Sequence, residues 1–214
     1  KQQLRSSAMA VNPLEAKLTD FIKPCSKLTD YIKVYDDVVD AQFCDDIIKN
    51  FEFEEHNQNP VNREKCPTFT ELNISTQYNE RNSRWMVPQK HGQQIFVEAV
   101  SRYMDELDLR DMDFPPRYVF EEFRVKRYVA GTDDEFSDHV DVGDHSSARR
   151  FLAGFLYLND VKEGGTTDFP KLGHSITPKC GRMLLFPPTW MYRHAGRPVT
   201  KGNKYILGTY LHYL

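Results

Sequence analysis

The chain has 214 residues, 40% apolar and 28% charged, enough to bury one substantial core, and a single domain is the expectation from that length. Its formal charge of −3, from 28 basic and 31 acidic side chains, gives neither the basic footprint of a nucleic-acid binder nor a polybasic membrane patch. No apolar run approaches the roughly 18 residues of a membrane span and no hydrophobic signal core opens the chain, so a soluble, intracellular (cytoplasmic) protein without membrane or nucleic-acid partners is expected.

Residues 1–30 mix polar side chains with Pro13 and Pro24 and show no sustained period, which predicts a flexible N-terminal arm. The near-repeat LTDFIK and LTDYIK within residues 18–33 is too short for a repeat architecture and reads as coincidence. A single domain over residues 31–214 follows. It opens with a strand-like YIKVYDDVV and then Asp40, a helix N-cap candidate, with a helix through about residue 54 that repeats Phe43, Ile47, Ile48 and Phe51. A second helix is predicted from about residue 92 to 107, carrying Phe96, Val100, Tyr103 and Leu107 at three-to-four spacing. This helical support, about 40–107, should cover the outer face of a sheet. Between the helices, residues 55–85 are long and polar and read either as a lid or hairpin near a site mouth or as a solvated excursion.

After Pro115 and Pro116 the chain turns to strands, and a catalytic core of about 117–214 is expected. RYVFEEFRVKRYVA is rich in aromatic and β-branched residues, and residues 151–158, 182–186 and 204–213 are further candidates. Short strands separated by Gly and Pro turns predict a mainly β fold of two sheets rolled together, with supporting α-helices.

Chemistry concentrates in residues 128–141, YVAGTDDEFSDHVD, and in a second segment, RHAGRPVTKGNKY, that holds His194 and Lys204. In an extended strand His139 and Asp141 project to one side while Val140 faces the other. With His194 from a neighbouring strand they form a two-His, one-carboxylate facial triad, which leaves coordination positions open on Fe(II). A His-x-Asp triplet alone is expected about 0.6 times by chance, so its surroundings must carry the weight.

Those surroundings are YLND-x(3)-GG-x-T-x-FP and H-x-G-x-P-V-x(2)-G-x-K-Y, in that order after H-x-D. From residue 128 to 205 the chain resembles the prolyl 4-hydroxylase family of 2-oxoglutarate-dependent Fe(II) dioxygenases. The resemblance implies a double-stranded β-helix, a cupin-like jelly roll, with iron at its open mouth. It also implies 2-oxoglutarate and O2 as cosubstrates, and it admits ascorbate. His139, Asp141 and His194 match the metal ligands and catalytic centre. Lys204 matches the cation that meets the distal carboxylate of 2-oxoglutarate, Tyr157 a tyrosine whose hydroxyl reaches the same carboxylate, and Tyr128 an aromatic lining that pocket. If Lys204 points inward, Ile206 and Gly208 share its face, and Gly208 leaves space beside it. Thr166 stands where many members have Glu, and Tyr210 where Trp is common; neither departure is expected to touch a metal ligand.

Other residues take plainer readings. Cys25, Cys44, Cys66 and Cys180 lie far apart with no CxxC and read as reduced thiols. His56, His91, His145, His174 and His212 lack a carboxylate at ligand spacing. The acids Asp133, Asp134, Glu135, Asp138 and Asp144 read as a solvated loop, and Arg197 and Lys201 as solvated turn cations. Only one side of the run Arg124, Lys126, Arg127 can face a pocket. Three function classes follow: a hydroxylase of a prolyl residue in a peptide or protein, releasing succinate and CO2; the same chemistry on a free amino acid or small metabolite; and a non-enzymatic metal-binding jelly roll.

Overall fold

The computed structural model describes residues 25–62, 67–109 and 112–214. Residues 1–24 of the expected arm, with the first copy of the near-repeat, lie outside these, as does Cys66. The second copy forms a tight 3-10 turn, Leu28–Tyr31, running into the first strand.

Helix α1 (Ala41–Phe53) starts at Asp40, whose carboxylate accepts the Phe43 N–H at 2.8 Å, and it buries Cys44, Ile47 and Phe51 along one face. A short helix α2 (Ile74–Asn79) follows, capped by Asn73. Helix α3 (Ser83–Glu106) begins nine residues earlier than its apolar pattern suggests, with Pro88 inside it. Proline has no N–H to return to the carbonyl four residues back, here Arg84. The Asn50 side chain, from α1, donates to that carbonyl instead at 3.4 Å. The polar reading of residues 55–85 is therefore corrected in its second half: Ile74 and Trp85 are fully buried, and this part is framework. Its first half is the hairpin.

The strands are β1 (Lys33–Tyr35), β2 (Asn59–Asn62), β3 (Thr68–Asn73), β4 (Tyr118–Phe120), β5 (Arg124–Tyr128), β6 (Phe136–His139) and β7 (Arg150–Tyr157). They continue with β8 (Glu163–Gly164), β9 (Thr167–Phe169), β10 (His174–Ile176), β11 (Arg182–Phe186), β12 (His194–Gly196), β13 (Val199–Lys201) and β14 (Lys204–Tyr213). A major sheet of eight strands runs β1-β11-β7-β14-β5-β3-β2, with β4 on the far end of β14. A minor sheet runs β10-β9-β12-β6, and β13 pairs with β8. The two sheets face each other as a jelly roll, the expected fold.

Strand alternation divides the core in two. Val125, Leu156, Leu185 and Leu207 point outward onto Phe51, Phe96, Val100 and Tyr103 of α1 and α3. Gly154 lets the helix approach, since a Cβ there would lie 2.8 Å from the Phe96 ring. Tyr128, Phe155, Tyr157, Leu184, Phe186 and Ile206 point inward, towards Phe169 and Ile176 of the minor sheet. Burial of each such side chain contributes roughly 1.5–3 kcal/mol. The inner face of β14 thus presents Lys204, Ile206, Gly208 and Tyr210 in a row. Gly208 is filled from across the strand rather than left open: the Phe155 ring would meet a Cβ there at 3.0 Å.

Candidate active site

His139 ends β6 and His194 begins β12, and the antiparallel register sets them directly opposite each other. Asp141 is not on the strand with His139, as alternation had suggested. It sits on the bend just after β6, where its N–H donates to the Pro188 carbonyl at 3.2 Å. The bend turns the carboxylate back between the imidazoles, 3.4 Å from His139 Nε2 and 3.5 Å from His194 Nε2. One ligand atom from each of the three residues lies within 4.8 Å of the others.

Both rings are held from behind. His139 Nδ1 lies 2.7 Å from the Ser137 carbonyl and His194 Nδ1 3.0 Å from that of Tyr192, so Nδ1–H donates and each Nε2 lone pair faces the centre. Phe136 stacks on His139 at 3.4 Å between ring centroids. Burial pushes the His194 imidazole below its ordinary value, against the pull of Asp141. Burial would raise the Asp141 carboxyl, but His194, then His139 and a tyrosine hydroxyl hold it down to about 2. His194 is thus held neutral beside an ionised carboxylate, the protonation state that metal ligation requires of both.

A metal fits. His139 Nε2 and Asp141 Oδ2 are buried without a hydrogen-bond partner among the described residues, an arrangement that costs stability unless something binds there. Two nitrogens and one carboxylate oxygen on one side suit Fe(II) with open positions.

The tyrosine is Tyr210. Its hydroxyl donates to Asp141 Oδ1 at 2.8 Å, while burial and the Asp141 charge keep the phenol protonated. The expectation that this position does not touch a ligand is overturned. β14 runs antiparallel to β7, so its seventh residue stands beside the bend that carries Asp141. Arg150 completes the support, donating to the Asp141 carbonyl at 3.1 Å while a bidentate pair to Glu121 fixes its guanidinium. It also lies over the Tyr210 ring at 4.1 Å.

Deeper in, a narrow pocket joins the metal centre to Lys204 and is lined by Tyr128, Thr167, Gly196 and Ile206. Lys204 is 2% exposed. It faces Tyr128 across the β14–β5 register, with Nζ 4.3 Å from the ring centroid, and donates to the Gly165 carbonyl at 3.0 Å. Gly165 holds φ +70°, a turn conformation that presents its carbonyl to the lysine. Desolvation pulls the ammonium down to about 7, with Asp168 opposing weakly. Tyr157 is adjacent but does not line the pocket: its hydroxyl donates to Thr167 Oγ1 at 2.7 Å, leaving Thr167 as the group that faces inward. Thr167 was passed over although the GG-x-T motif marks it.

Arg197 is excluded as the pocket cation because it is paired to Asp168 at 2.8 Å and Asp138 at 3.2 Å. The reading of it, and of Asp138, as solvated is corrected. Asp134 likewise accepts the Val129 N–H, and Asp144 caps the turn at Ser146 and Ser147.

Outside the metal lies a groove of about 570 Å³, lined by Val61, Pro67 and Phe69 of the hairpin segment on one side and by Asp144 and Ser147 on the other. Arg124 and Lys126 face it while Arg127 faces the opposite side onto Glu52, as alternation required.

Residues 123–212 match the family model of the 2OG-Fe(II) oxygenase superfamily, the span that holds every residue of the centre and the pocket. This part of the chain is similar to the 2OG-Fe(II) oxygenase domains that the family model describes. Its likeness within that class is to prolyl 4-hydroxylases. Prolyl 4-hydroxylase subunit alpha-1 of Gallus gallus is 32% identical over 43% of this chain and 20% of its own length. The chain thus spans about a fifth of the first curated relatives it matches. Among solved structures, the viral collagen prolyl hydroxylase of Paramecium Bursaria Chlorella virus-1, in a 2OG complex, superposes with TM-score 0.58 at 20% identity over 86% of this chain and 96% of its own. A prolyl hydroxylase of Trichoplax adhaerens, in complex with a hypoxia inducible factor peptide fragment, gives TM-score 0.65 at 13% identity, covering 86% of this chain and 84% of that one. At these identities the superpositions establish the fold. Among the described residues no helix is long and apolar enough to cross a membrane.

Proposed function

We propose that the chain is a 2-oxoglutarate- and Fe(II)-dependent dioxygenase that hydroxylates a prolyl residue in a peptide or protein, releasing succinate and CO2. The observation that carries this reading is the buried Lys204 at the closed end of a pocket whose other end is the His139, Asp141, His194 centre. A lysine is rarely buried without a carboxylate partner, and none stands within 4 Å of this one among the described residues.

His139, Asp141 and His194 would hold Fe(II), and Tyr210 and Arg150 would keep Asp141 aimed at it. The metal and its cosubstrate supply the oxidative step, coupling decarboxylation of 2-oxoglutarate to insertion of oxygen into a C–H bond. Lys204 would hold the distal carboxylate of 2-oxoglutarate, with Thr167 beside it and Tyr128 as the wall. Tyr157 acts one residue back, orienting the Thr167 hydroxyl. Such a charge-assisted contact contributes about 1.5–3 kcal/mol. Phe155 of β7 and Ile206 of β14 keep water from the cavity. The groove suits an extended segment laid between the hairpin and the turn at Asp144. Proline fits such a site because its fixed φ leaves less chain entropy to lose on binding.

The test incubates the protein with Fe(II), ascorbate, 2-oxoglutarate and proline-containing peptides. Succinate should form in step with a peptide product heavier by one oxygen. Succinate formation without oxidised peptide from any proline-containing sequence, but with an oxidised small metabolite, would overturn the prolyl assignment.

A further inference from the structure

The groove is full of charges, and among the described residues every charged side chain lining it except Lys126 is ion-paired or hydrogen-bonded. Arg124 pairs with Glu71 at 2.9 Å and with Glu122. Arg150 is held by Glu121, and the Asp144 carboxylate by Ser146 and Ser147. Asp141 accepts from Tyr210 through Oδ1 and turns its other oxygen to the metal centre between the histidines. Lys126 remains. Among the described residues it has neither an ion pair nor a hydrogen bond, and its ammonium rests 4.9 Å from the centroid of the Phe69 ring.

Its position is informative. Lys126 projects from the inner face of β5 between Glu71 on β3 and Ile206 on β14, and it borders both the outer groove and the deep pocket. A half-buried ammonium with no ion pair is destabilising in the free protein, since desolvation of the charged form outweighs the pull of Glu71 and Asp141, whose carboxylates are engaged elsewhere.

We propose that Lys126 is a specificity residue that takes a carboxylate of the substrate, so that the prolyl substrate carries an acidic group within reach of the ring being hydroxylated. This rests on the function proposed above and narrows it. The cosubstrate does not need Lys126, because its distal carboxylate is met by Lys204 and its other end by the metal. The carboxylate has two chemical sources: the side chain of an Asp or Glu beside the proline, or the terminal carboxylate of the proline itself.

The experiment measures binding rather than turnover. Calorimetric titrations in oxygen-free solution, with Fe(II) and 2-oxoglutarate bound, compare Ac-Pro-Glu-NH2 with Ac-Pro-Gln-NH2, and Gly-Pro with Gly-Pro-NH2. In the parent at least one acid should bind about tenfold more tightly than its amide, and which pair shows it identifies the source. Lys126→Met should abolish that preference and Lys126→Arg should keep part of it, while both bind 2-oxoglutarate within about twofold of the parent, which also shows that they fold. Equal binding of acid and amide by the parent, or a preference that survives Lys126→Met, would overturn the proposal. A loss of 2-oxoglutarate affinity in Lys126→Met would overturn it too, by moving the lysine into the cosubstrate site. Failure of the parent to bind Fe(II) or 2-oxoglutarate would instead refute the function on which the proposal rests.

Discussion

The deep pocket and the outer groove sit on the same strands and are built on opposite plans. The pocket has Lys204 at its closed end and Lys126 at its edge, aromatic and aliphatic walls and the hydroxyls of Tyr128, Thr167 and Tyr210, and Lys126, Tyr128, Phe155, Lys204, Ile206 and Tyr210 come from the paired interiors of β5, β7 and β14, where register fixes each neighbour. The groove is ringed by charges, most of them paired or hydrogen-bonded, carried by strand ends, the β2–β3 hairpin and the turn after Asp141. A charge in the pocket has nowhere to go but onto a ligand. A paired charge in the groove holds shape, and only an unpaired one selects. Substitutions in the pocket should therefore change the requirement for a cosubstrate, and those in the groove the choice of substrate.

The largest effect is expected at the junction of the two regions. His139→Ala, Asp141→Ala or His194→Ala each leaves two protein ligands. Metal affinity should fall by more than the roughly 10–100-fold that loss of a supporting hydrogen bond costs, and succinate formation should vanish. Metal titration followed by calorimetry checks this, and near-parental binding by His139→Ala would break the assignment.

Next is the pocket itself. Lys204→Met should weaken 2-oxoglutarate binding by about 1.5–3 kcal/mol, roughly 10–150-fold, with iron affinity little changed. The same residue has a pH signature. Its folded value of about 7 lies below the ordinary lysine value of 10.5. Between those limits the unfolded chain binds more protons, so stability rises with pH, and the penalty of the buried charge is fully present below about 7. Urea titrations across pH 6 to 10 should show this slope in the parent and a smaller one in Lys204→Met. At pH 8 the free lysine is largely neutral, so binding of the distal carboxylate should take up a proton, readable by calorimetry in buffers of different ionisation enthalpy.

Tyr210→Phe should lower metal affinity by about tenfold, because the Asp141 carboxylate loses the Tyr210 hydroxyl while Arg150 and Pro188 keep hold of its backbone. A change in 2-oxoglutarate affinity at unchanged metal affinity would contradict that role. Tyr157→Phe is smaller still. It removes the donor to Thr167 and should cost about 0.5–1.5 kcal/mol of 2-oxoglutarate binding.

The same division explains what could be read from the amino-acid order. β11 lies between Gly181 and Pro187, β14 follows Asn203 and β7 closes just before Asn159, and the expected limits of these apolar runs match the structure within one residue. That His139, Asp141 and His194 converge and that Lys204 points inward was legible because motif spacing marks them. The first turns of α3 were not, because Pro88 and polar neighbours mask a helix held by the Asn82 cap and by Asn50. Ile74 and Trp85 were lost among polar residues because two buried side chains do not make a period. The contact of Tyr210 with Asp141 and the isolation of Lys126 depend on strand register and on which partners are already taken. Neither is written in any local stretch of sequence.

The central claim is that Lys204 and the distal carboxylate of 2-oxoglutarate recognise each other at the end of a pocket opened by the metal. A two-by-two cycle tests it most directly: parent and Lys204→Met, each titrated anaerobically in the Fe(II) form with 2-oxoglutarate and with 2-oxobutyrate, which keeps the chelating end and lacks the distal carboxylate. The expected result is a coupling of about 1.5–3 kcal/mol, with 2-oxobutyrate binding both proteins about equally. A coupling near zero, or equal losses for both ligands in Lys204→Met, would contradict it.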